Sequence, residues 1–199
     1  MTEGSTQDVR RRLLHTRQVI CTGYQRDDGC VDIEGYLLDS KPEDTHTDYR
    51  LVAAGEAFHQ MRLVLTVDSK FIIRAAHART EAAPTPTCGE IAAAYEGLVG
   101  LRIGPGFKQQ AIRVVGGLQG CTHLTELLGP MATTLIQSTF VARRDELRRQ
   151  REEQPGFVQP RPWVIGSCHV YHPQSDASRR IWPQGFDERG DDVIASDRE

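Results

Sequence analysis

Cys30-Val31-Asp32-Ile33-Glu34-Gly35-Tyr36-Leu37-Leu38 and Met61-Arg62-Leu63-Val64-Leu65-Thr66-Val67 decide the fold of this chain. In the first run Val31, Ile33, Gly35 and Leu37 alternate with Asp32, Glu34 and Tyr36. In the second, Met61, Leu63, Leu65 and Val67 share one face. A period of two marks strands buried on one side. Arg26-Asp27-Asp28-Gly29 supplies a turn that joins the first run to a strand over Val19 to Tyr24. Asp68-Ser69-Lys70 does the same between the second run and a strand from Phe71 to about Thr80. Two antiparallel hairpins follow, separated by a polar connection over Asp39 to Asp48.

Downstream the period changes. Pro84 and Pro86 break the chain, after which Ile91, Ala92, Tyr95 and Leu98 recur at helical spacing. Leu124, Leu127 and Leu128 predict a helix from Thr122 that Gly129-Pro130 breaks or kinks, with a second helix from Met131 to about Glu153. Trp163 to Tyr171 reads as a strand-like strap, and the polar stretch beyond Pro173 as irregular, with Trp182 an anchor. The expected fold is α+β: an antiparallel meander followed by helices packed on one face. Residues 1–12 form a flexible N-terminus, 13–155 a single domain and 156–199 a C-terminal strap and tail.

The 199 residues suffice for a sizeable core, and the 39% hydrophobic content concentrates between Val19 and Val141. A formal charge of -3 gives no global footprint for nucleic acid. The five arginines between Arg143 and Glu153 alternate with acids and read as a solvated helix face. No apolar run reaches the roughly 20 residues that span a bilayer. Five cysteines without a secretion signal point to reduced thiols and a cytoplasmic location. Ile103-Gly104-Pro105-Gly106-Phe107-Lys108 lacks the Gly-Lys-Ser/Thr of a phosphate loop and reads as a turn.

Chemistry concentrates in Gly120-Cys121-Thr122-His123-Leu124-Thr125-Glu126. A cysteine at a helix start feels free N–H groups and the positive end of the helix dipole, which favours thiolate. His123 lies two residues on, and Glu126 follows on nearly the same helix face. Cys88 precedes another helix, and His59 comes just before the second hairpin. His59, Cys88 and Cys121 are therefore the candidate ligands of a zinc or iron ion, with Glu126 or His123 as general base. A nucleophilic Cys121 with His123 as its base is the alternative use of the same residues. Asp32 and Glu34 could pair their carboxylates, but a wet sheet face is the favoured reading of them. Cys168-His169-Val170-Tyr171-His172 is a second ligand source, although a strand would point alternate residues apart.

Two resemblances attach to these residues. His59-Gln60-Met61-Arg62-Leu63, Cys88-Gly89-Glu90-Ile91-Ala92 and Cys121 to Leu128 resemble the three ligand loops of iron–sulfur cluster assembly scaffolds, over about Gly55 to Gln137. That resemblance implies an iron–sulfur-scaffold-like core. Phe58 stands where the scaffold has its first cysteine and His59 where it has an acid, which favours a mononuclear metal over a cluster. The chain also resembles an uncharacterised bacterial family over most of Leu14 to Thr139. There the matching pieces are Arg26 to Glu34, His59-Gln60-Met61 and Gly120-Cys121-Thr122-His123-Leu124-Thr125-Glu126-Leu127; that family implies no activity.

The resulting expectation is a metal-dependent hydrolase or lyase acting on a small polar metabolite. The alternative is a non-enzymatic metal or iron–sulfur scaffold or interaction protein. Expected partners are a small-molecule substrate and a second copy in a homodimer, with neither nucleic acid nor membrane.

Overall fold

The structure is a computed structural model and describes residues 9–186. It is an α+β fold. Six strands come first, β1 (Thr16–Gln25), β2 (Val31–Ser40), β3 (Thr45–His46), β4 (Leu51–Val52), β5 (Ala57–Val67) and β6 (Ile73–Ala82). A 3-10 helix (Pro86–Leu98), α1 (Phe107–Val115), α2 (Thr122–Glu153) and α3 (Asp176–Ile181) follow. The main sheet is an antiparallel meander ordered β1-β2-β5-β6, while β3 and β4 pair as a short ribbon. The chain divides into two compact units, one ending at Thr139 and the other beginning at Phe140.

Alternation places the core of the first unit. Val31, Ile33 and Leu37 of β2 and Met61, Leu63, Leu65 and Val67 of β5 are buried with Tyr95, Leu98, Phe107, Leu124, Leu127, Leu128, Met131 and Leu135. The helices thus cover one sheet face. Two glycines admit α2 to that face. A methyl on Gly35 would lie 2.6 Å from Met131 Sδ, and one on Gly23 would overlap Ser138. Met131 and Ser138 are about two helical turns apart and therefore share a side of α2. Gly35 pairs with Cys21, and Gly23 with Ile33. A shallow channel across β1 and β2 thus fixes the line along which the helix lies.

Several local expectations change. β1 and β5 start earlier than their apolar runs and β2 and β6 end later, so His59 lies within β5 and Asp39 within β2. The Pro86–Leu98 segment winds as a 3-10 helix, with its two buried residues, Tyr95 and Leu98, three apart as that geometry favours. Pro130 does not break α2. Both Pro130 and Glu126, whose carbonyl loses the helical bond, are exposed, so water can serve that carbonyl. The buried stripe from Leu124 to Leu135 holds the helix together across the proline. In the second unit, Trp163 to Tyr171 forms turns instead of a strand. The stretch after Pro173 contains α3, capped by Ser175, whose side chain accepts from the Ser178 N–H. Trp182 is buried and donates from Nε1 to the Gln159 carbonyl at 3.0 Å. Among the described residues no helix is long and apolar enough to cross a membrane.

Gly35→Val is expected to lower stability by about 1–3 kcal/mol, because the added carbons overpack against Met131. Chemical denaturation measures it. An unchanged midpoint would mean that α2 does not depend on the glycine channel.

Candidate metal centre

One cross-strand row builds the site. Arg17 of β1 pairs with Asp39 of β2, which pairs with His59 of β5. All three occupy the face that carries Leu37 and Met61, so strand alternation drives a carboxylate toward the core. His15 stands just before β1, and His123 comes from the first turn of α2. The row closes beneath the start of that helix.

Asp39 is fully buried and richly bonded. Arg17 donates to it through two parallel bonds, Nε to Oδ1 and Nη2 to Oδ2, both 2.8 Å. The His15 Nε2 lies 3.1 Å from Oδ1 and the His59 Nδ1 3.0 Å from Oδ2. Such a shell is what an ionised carboxylate requires away from water. Burial pushes the Asp39 carboxyl up, but the Arg17 bonds and charge, with bonds from His15 and His59, outweigh it and hold the group at about 2. Arg17 extends further to Glu126, whose Oε2 accepts from Nη1 at 2.5 Å.

The two inner imidazoles stack, with ring centroids 3.9 Å apart and planes 30° from parallel. The His123 Nε2 lies 3.9 Å from Asp39 Oδ2. Burial pushes both imidazoles below their ordinary value. The neighbouring ring adds to this at His59 and Arg17 adds to it at His123, while Asp39 opposes it at both. Both rings are thus neutral at pH 7, the form that offers a lone pair to a metal. Asp39, His59 and His123 offer ligand atoms within 4.8 Å of one another. This buried Asp/His/His cluster can coordinate a metal ion.

The start of α2 is fixed from the other side by Tyr95. Its hydroxyl accepts from the Cys121 N–H at 3.1 Å and lies 2.7 Å from Thr125 Oγ1, which in turn donates to the Val115 carbonyl at 3.0 Å. This clamp sets the position of His123. The Cys121 Sγ lies 3.8 Å from both His123 Nδ1 and Met61 Sδ, so the thiol borders the cluster through His123.

The residues singled out by sequence fall as follows. His59 and His123 enter the cluster. Cys121 touches it, Glu126 reaches it through Arg17, and Cys88 lies against Thr85 Oγ1 at 2.8 Å in the 3-10 helix. Neither Cys88 nor Cys121 contributes an atom to the Asp39–His59–His123 group. Asp32 accepts from Thr66 Oγ1 at 2.6 Å and pairs with Arg26, while Glu34 is exposed two residues on. Cys168 is an exposed free thiol. Asp39, Arg17 and His15 complete the site without having been expected. The available signal was parity: Asp39 continues the buried series Val31, Ile33, Gly35, Leu37.

A family model described as "Protein of unknown function (DUF2889)" matches residues 15–137. The chain belongs to that family. The DUF2889 match begins at His15 and contains every residue of the cluster, the Tyr95 clamp and Glu126. No curated protein and no solved structure matches the chain.

Asp39 titrates near 2 in the folded protein and near ~3.9 in an unfolded chain. Its ionisation therefore contributes stability, on the order of 2 kcal/mol, that is complete above about pH 4 and lost as pH falls through 2. In chelator-treated protein, the stability difference between wild type and Asp39→Asn should shrink as pH falls from about 4 toward 2. Urea melts across that range test this; a difference that grows on acidification would contradict the assignment.

Proposed function

We propose that this DUF2889 protein is a metal-holding module that binds a zinc or iron(II) ion through Asp39, His59 and His123. The observation that carries the reading is the convergence of one buried carboxylate and two neutral imidazoles within 4.8 Å. Metal–ligand bonds of about 2.0–2.1 Å place neighbouring donors roughly 3–3.4 Å apart. The 3.0 and 3.9 Å separations from Asp39 Oδ2 to His59 Nδ1 and His123 Nε2 lie close to that range, and binding requires the His59 proton to sit on Nε2, so that Nδ1 exchanges its hydrogen bond to Asp39 for the ion. Two imidazoles and one carboxylate suit either ion and leave a coordination position for an outside ligand. With no thiolate among these donors, a mononuclear ion is favoured over an iron–sulfur cluster.

A non-enzymatic holding or interaction role has better support than a hydrolase or lyase. Glu126, the base that such chemistry would use, is paired with Arg17, and His123 belongs to the ligand set. Arg17 and His15 both act on Asp39 and orient it. Cys121 serves as the neighbour of His123 and not as a ligand.

Titration calorimetry of chelator-stripped protein with zinc, or with iron(II) under anaerobic conditions, tests the reading. Saturating metal at about 100 times Kd should stabilise the fold by about 2.7 kcal/mol. His59→Ala and His123→Ala should each weaken binding at least tenfold while remaining folded. Wild-type protein that binds neither ion would show that the cluster is an internal ion-pair hub.

The two thiols near imidazoles in sequence should differ. Cys121→Ala is expected to lower retained metal more than Cys168→Ala, since Cys121 adjoins His123 and Cys168 is exposed. Metal content by mass spectrometry decides it, and a greater loss in the Cys168 variant would relocate the site.

A further inference from the structure

The two edges of the main sheet are unlike. β6 is guarded: Ile73 N–H donates to Leu101 O and Gly100 N–H to Ile73 O, both at 2.9 Å, and Ile103 N–H donates to Phe71 O at 2.8 Å. Its pairing with β5 carries two irregularities, and Arg74, Arg79 and Glu81 punctuate it. Bulges, charges and covering segments are how sheets avoid unwanted pairing. Among the described residues β1 has neither a bulge nor a covering segment. It runs ten residues in unbroken register with β2, its only strand neighbour among the described residues. The single charged residue of β1, Arg17, is turned to Asp39 and Glu126. Ile20 is 53% exposed, Val19 43% and Tyr24 50%, and the preceding Leu13 and Leu14 are 60% and 64% exposed.

We infer that β1 is a homodimer interface, on which two copies pair antiparallel, edge to edge, about a two-fold axis near Ile20. Charge selects this occupant and direction. Arg10 and Arg11 precede the strand beside Arg12, which pairs with Glu43, and Asp27 follows it beside the Arg26–Asp28 pair, so the two ends keep opposite net charge. Antiparallel pairing lays the basic end of each copy beside the acidic turn of the other, whereas parallel pairing would oppose like charges. Symmetry also closes the assembly. Each copy uses up the unguarded edge of its mate and leaves only guarded β6 edges outward, giving one eight-stranded sheet. A peptide or unrelated strand would gain the same backbone bonds without the reciprocal charge match.

Light scattering coupled to size exclusion should give twice the 22.3 kDa chain mass for the full chain. Ile20→Lys and Ile20→Glu alter an exposed side chain on the outer sheet face and should each yield monomer with little change in Tm. Mixing the two variants should restore dimer, because Lys and Glu then meet across the axis. Wild type that remains monomeric at high micromolar concentration would overturn the inference. So would a dimer that persists in both variants, which would place the interface elsewhere. Monomeric variants that fail to associate when mixed would rule out the antiparallel two-fold arrangement.

Discussion

A carboxylate held with no contact to water is the constraint around which this unit is arranged. Leaving Asp39 ionised at the core-facing end of β2 is tolerable only if donors surround it. Arg17 supplies two bonds and a full charge, and His15 and His59 supply one bond each. These donors come from β1, the residue just before it, and β5, at one end of the strands flanking β2, so the requirement fixes register as well as charge. Sliding β1 by one residue would turn Arg17 to the opposite face and leave a buried anion unneutralised. The polar row therefore pins the register at the end of the sheet opposite Gly23.

The helix layer is held over the sheet by independent means. Gly23 and Gly35 set the line of α2 across the sheet, and Tyr95 fixes its first turn through Cys121 and Thr125. His123 arrives over Asp39 because both constraints act on one rigid element. A donor set on two strands and a helix start costs little reorganisation when an ion binds, since backbone hydrogen bonds already order its supports.

Much of this architecture was legible. Alternation in Val31 to Leu37 and Met61 to Val67 marked the strands and their buried faces, and the turn residues marked both hairpins. The carboxylate was missed because a hydropathy pattern stops at the first charged residue, so Leu38 appeared to end β2. The strand continues through Asp39 because its neighbours Arg17 and His59 make a charge acceptable there. Arg17 was hidden likewise, outside an apolar run that starts at Val19. Thiols drew attention because cysteine is rare and reactive, yet Cys88 finds a hydroxyl and Cys121 a histidine and a thioether. Pro130 misled in the opposite direction: a local rule against proline in a helix yielded to tertiary burial on the other side of α2.

The site and the free edge are connected through Arg17. On a central strand this guanidinium would be enclosed, with its remaining N–H groups needing further buried acceptors. On an edge strand it can satisfy Asp39 inside and still reach Glu126, which is mostly exposed. Neutralising the carboxylate from β1 therefore suits the edge position, but it withdraws the one charge of β1 from the task of discouraging other strands. Val19, Ile20 and Tyr24 then border an edge without an outward lysine, a proline or a bulge. Pairing between two copies resolves that conflict without disturbing Arg17, because edge-to-edge hydrogen bonds lie in the plane of the sheet whereas the guanidinium projects from its face. Internal charge neutralisation and the surface left open to association are consequences of one strand position.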